Sequence, residues 1–178
     1  MKFLSTLIGF VFVTTSLPAQ KKPNYPPETE GTTEHVFKTA SDTDLKLWRF
    51  SPADLKGDEQ RPAIVFFFGG GWKGGTPNQF VPHSKHLAEK GIVAFVADYR
   101  VSSRNRTKAK DCVEDARDAM RYIRKNAAEL GVDPKRLAAG GGSAGGHIAA
   151  SLGVTAADAE SFHKKMTEAG ANSTLHGY

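Results

Sequence analysis

The sequence predicts an α/β fold in which a mostly parallel sheet carries helices on both faces. Two continuous apolar runs, residues 63–68 and 92–97, have the length and composition of buried strands, and a shorter run follows at 136–139. Helical patterns at 76–90 and 110–130 separate them, and such alternation is typical of a parallel sheet. Of the 178 residues, 39% are hydrophobic, which is enough for one core and predicts a single domain.

Two further patterns precede the first apolar run. Residues 33–38 and 45–50 are alternating or β-branched, which predicts a leading pair of antiparallel strands. The run at 63–68 lies between Pro62 and Gly69, and an unbroken apolar sequence of this length suits a strand that is buried on both faces.

The first helix has a strong start signal. Thr76 has the residue type of an N-cap, Pro77 suits the first turn, and Gln79 lies where a capping-box partner would lie. Gly91 predicts the end of this helix, because glycine is favoured just past a helix C-terminus. Asp98 stands at the end of the strand that follows.

The longest helix, predicted at 110–130, has one apolar face. Its apolar residues recur at steps of three and four: Cys112, Ala116, Ala119, Ile123, Ala127 and Leu130. Gly131 predicts the C-terminus of the helix. Cys112 is the only cysteine, so no disulfide is expected within the chain, and we interpret it as a buried apolar residue.

The chain has a formal net charge of +5, and its densest basic stretch is residues 100–110, with five basic residues and no acidic one. Nucleic-acid binding is not expected, because the stretch holds no aromatic side chain on which a base would stack. A solvated loop is the preferred interpretation, with attraction of acidic substrates as an alternative.

The most informative stretch is 137–150, where a strand-like run meets glycines around a single serine and continues into a helix of small residues. Its centre is G-x-S-x-G, with Gly141, Ser143 and Gly145. A nucleophilic serine at a sharp strand-to-helix turn needs a strained, uncrowded backbone, which the glycines provide. The helix start adds oriented N–H groups and a positive dipole end, both of which would stabilise an oxyanion.

A second glycine cluster follows the first buried strand, where residues 63–72 read AIVFFFGGGW. We call residues 141–146, GGSAGG, the elbow. Together with the elbow, this cluster resembles the motifs of the hormone-sensitive-lipase-like esterases in the α/β-hydrolase superfamily, and the resemblance runs from about residue 34 to 153. One residue departs from that pattern. Phe68 stands where the branch usually has a histidine that shapes the oxyanion loop.

The resemblance implies a serine carboxylic-ester hydrolase that forms an acyl-enzyme on Ser143. Short-acyl esters are the expected substrates, either small molecules or carbohydrates such as acetylated polysaccharide. The oxyanion hole would consist of the N–H groups of Gly70, Gly71 and Ala144. No cofactor is implied, and no spacing of histidine, cysteine or acidic residues suggests a metal site.

A dinucleotide-binding domain is an alternative, because residues 69–74 also fit G-x-G-x-x-G and Asp98 lies roughly where such a fold holds a ribose. Two observations weigh against it: the helix start at Thr76 comes after the third glycine, and two strands precede the motif. A hydrolase-like domain without catalytic activity is the other alternative.

The acid and the base of a serine triad are not evident in the sequence. In an α/β-hydrolase both follow the nucleophile, after further parallel strands, but only 35 residues follow Ser143. Residues 156–170 predict an amphipathic helix, and 173–178 predict the start of a strand. We therefore expect an internal deletion after about residue 153 and a C-terminal truncation, which would leave the sheet incomplete at its late strands. Such a chain is expected to be marginally stable and nearly inactive.

Three histidines follow or adjoin the elbow. His147 lies one helical turn after Ser143 and is expected to pack or to face solvent, because a base should approach the hydroxyl from a separate loop. His163 and His176 are the histidines to test as the base if the chain proves active.

Residues 1–19 have the pattern of a secretory signal, with Lys2, a short apolar stretch and a small-residue site that ends at Ala19. Residues 20–32 are rich in proline and charge, which predicts a disordered linker, and 33–178 would form the partial hydrolase domain. The expected location is secreted or periplasmic, with no stable membrane association after cleavage.

Overall fold

The computed structural model describes residues 32–40 and 42–153. In chain order these residues form β1 (Thr33–Ala40), β2 (Thr43–Phe50), β3 (Arg61–Phe67), a 3₁₀ turn (Pro77–Phe80), α1 (Val81–Glu89), β4 (Val93–Ala97), α2 (Ser102–Asn105), α3 (Ala109–Lys125), β5 (Val132–Gly141) and α4 (Ala144–Gly153). The predicted signal, almost all of the predicted linker, and the elements predicted at 156–170 and 173–178 lie outside the described residues.

The strands form one mixed sheet in the order β1-β2-β4-β3-β5. β3 lies between β4 and β5 and runs parallel to both. β1 and β2 pair antiparallel, as predicted, and β2 also pairs antiparallel with β4. The predicted α/β fold class is confirmed. The three parallel strands, β4, β3 and β5, lie together at one end of the sheet, and the two glycine clusters follow β3 and β5.

One face of the sheet is covered by the 3₁₀ turn and α1. The buried side chains of this face are Trp48, Phe50, Ala94 and Val96, with Phe66, Phe80, Val81 and Leu87 packed against them. The rings of Phe66 and Phe80 stack with their centroids 5.0 Å apart, so the 3₁₀ turn is anchored to β3 by an aromatic pair.

The opposite face is covered by α3 and α4. All six residues of the predicted apolar face of α3 and its extension are buried: Cys112, Ala116, Ala119, Ile123, Ala127 and Leu130. The Cys112 thiol donates to the Arg100 carbonyl at 3.1 Å, and burial raises the pKa of the thiol to about 11. The interpretation of Cys112 as a buried residue is therefore confirmed.

Two boundaries differ from the prediction. α3 ends at Lys125, five residues earlier than expected, because the Asn126 side chain donates to the Tyr122 carbonyl at 2.8 Å and a turn follows. Leu130 is nevertheless buried, so the apolar pattern continues past the end of the helix. Gly131, in the left-handed region with φ 63°, reverses the chain, and β5 begins directly after it, four residues earlier than expected.

The start of the first helix lies where it was expected, but its capping does not follow the prediction. The chain becomes helical at Pro77 in a 3₁₀ turn, and the buried Thr76 hydroxyl makes no capping hydrogen bond. The Gln79 side chain pairs instead with the backbone of Gly69. The predicted capping box is wrong, because Gly69 offers this amide two backbone partners whereas the helix start offers one.

The prediction of a solvated loop at residues 100–110 is correct for most of the stretch, whose residues are largely exposed, but wrong for one part. Part of this stretch forms α2, and two of its five cations are held by acids of the core. Arg100 pairs with Asp115, and Arg104 pairs with Asp98. Both carboxylates are buried, so both arginines are part of the folded structure rather than of a mobile basic surface.

The fully buried carboxylate of Asp115 joins three parts of the fold. The Arg100 side chain donates to both of its oxygens at 2.8 Å, and the Arg100 backbone N–H donates at 3.1 Å. Lys38 on β1 lies 2.8 Å from the same carboxylate and 2.7 Å from Asp118. Burial would lower the pKa of Lys38, but hydrogen bonds to the two acids raise it above its usual value. These four residues therefore hold α3 against β1 and the segment after β4.

We expect Asp115→Asn to lower the free energy of unfolding by about 3–5 kcal/mol, because an amide leaves two cations without a buried counter-charge. The matched control is Glu114→Gln on the exposed side of the same helix, where the loss should be about 0–1 kcal/mol. Urea unfolding measures both. Equal midpoints for the two variants would contradict a structural role for the buried cluster.

Candidate active site

The two glycine clusters meet at one edge of the sheet. Phe67, the last residue of β3, is paired with Gly141, the last residue of β5, and the two strands are parallel. Both clusters therefore leave neighbouring carboxyl ends, where sites of open α/β sheets form. A Cβ placed on Gly69 would lie 3.3 Å from the Cβ of Ser143, so the first glycine loop passes directly beside the serine.

Ser143 occupies a strained turn. Its φ of 51° lies in the left-handed region, which a residue with a side chain rarely adopts, and the residue is exposed. The flanking glycines are required by space, because a Cβ on Gly145 would overlap the Phe67 carbonyl and one on Gly141 would lie 2.5 Å from that carbonyl. Such strain is typical of functional turns. The serine predicted from the motif thus stands clear of the sheet at the start of α4.

The loop after β3 turns sharply through Gly70, Gly71 and Trp72, whose φ angles are 148°, 61° and 58°. The Gly70 carbonyl accepts from the N–H groups of Lys73 at 3.0 Å and Gly74 at 3.2 Å, which closes the turn. Within residues 42–153, the N–H groups of Gly70 and Gly71 make no hydrogen bond. Both are available to a ligand.

Ala144, the third residue proposed for an oxyanion hole, is the first residue of α4. Backbone N–H groups at a helix start have no partner within the helix. The structure therefore brings the elbow and the glycine loop together, with three backbone donors in the two segments. We call residues 69–75 the oxyanion loop below, after the role that the resemblance implies for them.

Phe68 stands where the resemblance leads one to expect histidine, and it is fully buried. Its ring stacks on Tyr99 with centroids 4.1 Å apart, and the Arg104 guanidinium lies 5.8 Å from its centroid. The Tyr99 hydroxyl donates to the Phe68 carbonyl at 2.6 Å, and burial raises the pKa of that hydroxyl, so it stays protonated as a donor. The base of the loop is thus fixed by packing and by one buried hydrogen bond.

α2 supports the far side of the oxyanion loop. The Ser102 N–H donates to the Trp72 carbonyl at 2.9 Å, and the Ser103 N–H donates to the Lys73 carbonyl at 3.1 Å. The Arg104 side chain donates to the Gly75 carbonyl at 2.7 Å. These contacts give α2, which the sequence did not predict, a role in shaping the loop.

The histidines of the described residues do not form a triad with Ser143 in any arrangement that the structure shows. His147 is exposed on α4, as predicted, and its ring meets the Trp72 indole edge-on with centroids 5.7 Å apart. His35 lies on β1 at the opposite edge of the sheet from β5, while His83 and His86 lie on α1. The other candidate bases, His163 and His176, lie outside the described residues.

The features behind the dinucleotide alternative have other roles. The Asp98 carboxylate is buried and accepts from the Arg104 side chain at 2.9 Å. α1 begins at Val81, well after the loop at 69–74 in the chain, whereas a dinucleotide loop runs directly into its helix. The described residues hold no group of three or more histidine, cysteine or acidic side chains that could bind a metal ion, and no helix among them is long and apolar enough to cross a bilayer.

Comparison with known proteins agrees with this geometry. The BD-FAE family matches residues 50–176. The carboxylesterase NlhH of Mycobacterium tuberculosis is 36% identical over 117 residues, which cover 65% of this chain and 35% of that protein. An AB hydrolase superfamily protein of Schizosaccharomyces pombe is 38% identical over 92 residues, covering 51% of this chain and 26% of that protein.

Among solved structures, a thermophilic esterase of Thermogutta terrifontis, Est2, is 54% identical with a TM-score of 0.70, over 71% of this chain and 45% of that one. Structures of that esterase exist with propionate bound, with butyrate bound and phosphorylated by paraoxon. The chain thus spans about a quarter to a third of these curated relatives and about half of the esterase. With a match over most of its length, and with the sheet and elbow in place, the chain belongs to the BD-FAE family and has an α/β-hydrolase fold.

Proposed function

We propose that the protein is a serine carboxylic-ester hydrolase with Ser143 as its nucleophile. The observation that carries the proposal is the strained, exposed serine at the elbow, directly beside a glycine loop with unused N–H groups. The family match and the esterases among its relatives support the same reaction class.

In the proposed reaction, the Ser143 hydroxyl attacks the ester carbonyl and forms a tetrahedral intermediate. The new oxyanion accepts hydrogen bonds from the N–H groups of Gly70, Gly71 and Ala144. When the intermediate collapses, the proton lost by the serine passes to the leaving oxygen, so the alcohol departs and the acyl group stays on Ser143. Water then hydrolyses the acyl-enzyme to release the acid and the free serine. The general base and its acid partner are not assigned within residues 32–40 and 42–153.

Short-acyl esters are the proposed substrates. The propionate and butyrate complexes of the related esterase support a short acyl group. In this chain Trp72 directly follows the loop glycines, and its indole contacts His147, one helical turn beyond Ser143. The indole would therefore line one side of the space that the acyl group occupies. Acetyl groups on polysaccharide are a finer proposal, and the export predicted from residues 1–19 suits such a substrate.

A fluorophosphonate probe should label a version of the protein that carries the catalytic acid and base, and Ser143→Ala should abolish the labelling, because the probe reacts with an activated serine hydroxyl. The matched control is Ser151→Ala on the same helix, whose hydroxyl only donates to the His147 carbonyl and whose loss should leave labelling intact. Mass spectrometry of the labelled peptide identifies the site. Labelling that persists in Ser143→Ala would refute the assignment.

Gly70→Ala should lower kcat by about 10²–10³-fold, the usual cost of losing one oxyanion donor. A methyl group there would overlap the Gly74 carbonyl in a backbone conformation that disfavours alanine, so the loop must move. In Gly74→Ala the new methyl meets nothing closer than the Ser103 Oγ at 4.0 Å, and most activity should remain. Equal kcat values for both variants, measured with p-nitrophenyl acetate, would count against the oxyanion role.

With p-nitrophenyl esters of increasing chain length, kcat/KM should be highest for acetate to butyrate and fall at least about tenfold by octanoate, because an indole beside the acyl group would obstruct added methylenes. Release of acetate from acetylated polysaccharide, measured alongside, tests the finer proposal. A maximum at octanoate or longer would overturn the short-acyl assignment.

A further inference from the structure

We propose that Gln79 is a positioning residue that sets the direction of the Gly70 N–H in the oxyanion hole. The inference deepens the proposed esterase function and rests on it. Gln79 lies in the 3₁₀ turn before α1, ten residues from its partner, and it does not touch the reacting atoms.

The Gln79 carboxamide makes two hydrogen bonds with one residue. The Gly69 N–H donates to Oε1 at 2.9 Å, and Nε2 donates to the Gly69 carbonyl at 2.9 Å. The backbone fixes the orientation of the amide, since a carbonyl oxygen can only accept and an N–H can only donate. Gln79 therefore binds both peptide units that flank Gly69, one through the N–H group and the other through the carbonyl.

The second of these peptides contains the proposed oxyanion donor. The Gly69 carbonyl and the Gly70 N–H belong to one planar trans unit and point in opposite directions. A bond that holds the carbonyl therefore also holds the N–H. Both residues of this unit are glycines, whose backbone would otherwise rotate at little cost, and Gly70 already has a φ of 148°.

The neighbouring donor does not depend on a side chain in the same way. The peptide that carries the Gly71 N–H is held through the Gly70 carbonyl, which accepts from the backbone of Lys73 and Gly74. Gln79 is thus the side chain that fixes the Gly70 donor, and its loss should affect that donor selectively.

The 3₁₀ turn that carries Gln79 is itself restrained at both ends. Pro77 at the start of the 3₁₀ turn is buried and has a restricted φ, and Phe80 at its end stacks on Phe66 of the sheet. The Gln79 N–H bonds the Thr76 carbonyl at 3.4 Å. A preorganised backbone of this kind reduces the entropy lost when the side chain is fixed on Gly69.

The test is Gln79→Glu, which keeps an acceptor for the Gly69 N–H but replaces the donor to the Gly69 carbonyl with a repelling oxygen. We expect kcat to fall by about 10–100-fold and KM to change by less than about threefold, because the affected donor acts on the transition state. The inhibition constant of a trifluoromethyl ketone, which forms an oxyanion on the serine, should rise by the same factor as kcat/KM falls. The matched control, Gln60→Glu at an exposed site, should leave all three values unchanged.

Amide hydrogen exchange supplies a readout that does not require activity. Protection of the Gly69 N–H should persist in Gln79→Glu and fall at least about tenfold in Gln79→Ala, while the melting temperature and the protection of β3 and β4 stay close to wild type. This separates a positioned peptide from a damaged fold.

The outcomes distinguish the two proposals. An active wild type whose Gln79→Glu variant keeps its kcat overturns the positioning role and leaves the esterase function standing. A version of the protein that carries the catalytic acid and base and still lacks ester turnover overturns the proposed function, whatever the exchange data show. A parallel loss of kcat and ketone affinity in a folded variant supports the inference.

Discussion

The candidate site depends on one close approach of backbone to backbone, where the elbow passes over the end of β3. No side chain fits at Gly145, because the Phe67 carbonyl occupies the space, and Gly141 is crowded by the same carbonyl. The elbow therefore rests directly on the central parallel strand. This contact fixes Ser143 at the sheet edge from which the oxyanion loop also leaves, so the strain of the serine and the position of the loop have a common origin.

The surroundings of that contact are held largely by buried charge. Asp98 and Asp115 are both buried, and each binds an arginine of the segment after β4. Because a buried carboxylate without a partner is costly, breaking either pair would destabilise the fold, and each pair therefore restrains the segment. Arg100 links this segment to α3 through Asp115, and Arg104 links it to the oxyanion loop by donating to the Gly75 carbonyl. The basic stretch thus links the core of the sheet to the site.

Local signals in the sequence predicted the parallel strands, the buried face of α3 and both glycine clusters. Hydrophobic periodicity and glycine content can be recognised in a window of a few residues, without knowledge of the rest of the fold. The partners of Gln79 and Arg104 could not be predicted in this way. Threonine, proline and glutamine in series satisfy a capping pattern, and nothing near Gln79 in the sequence reveals that Gly69 competes for its amide. The contact of Arg104 with Gly75 spans 29 residues, and it exists because strand order places α2 beside the loop. The signal segment and the elements after residue 153 remain predictions.

Phe68 stands where the resemblance leads one to expect histidine, and polar side chains gather around it at the base of the loop. A phenyl ring can pack but cannot donate or accept a hydrogen bond, so the restraint on the adjoining backbone must come from other side chains. Tyr99 supplies one bond to the Phe68 carbonyl, and Arg104 covers the ring while it bonds the loop. A guanidinium in that position requires a counter-ion, and Asp98 provides it. The acid that made a ribose site plausible in the sequence therefore balances the charge of the arginine that covers Phe68 and bonds the loop.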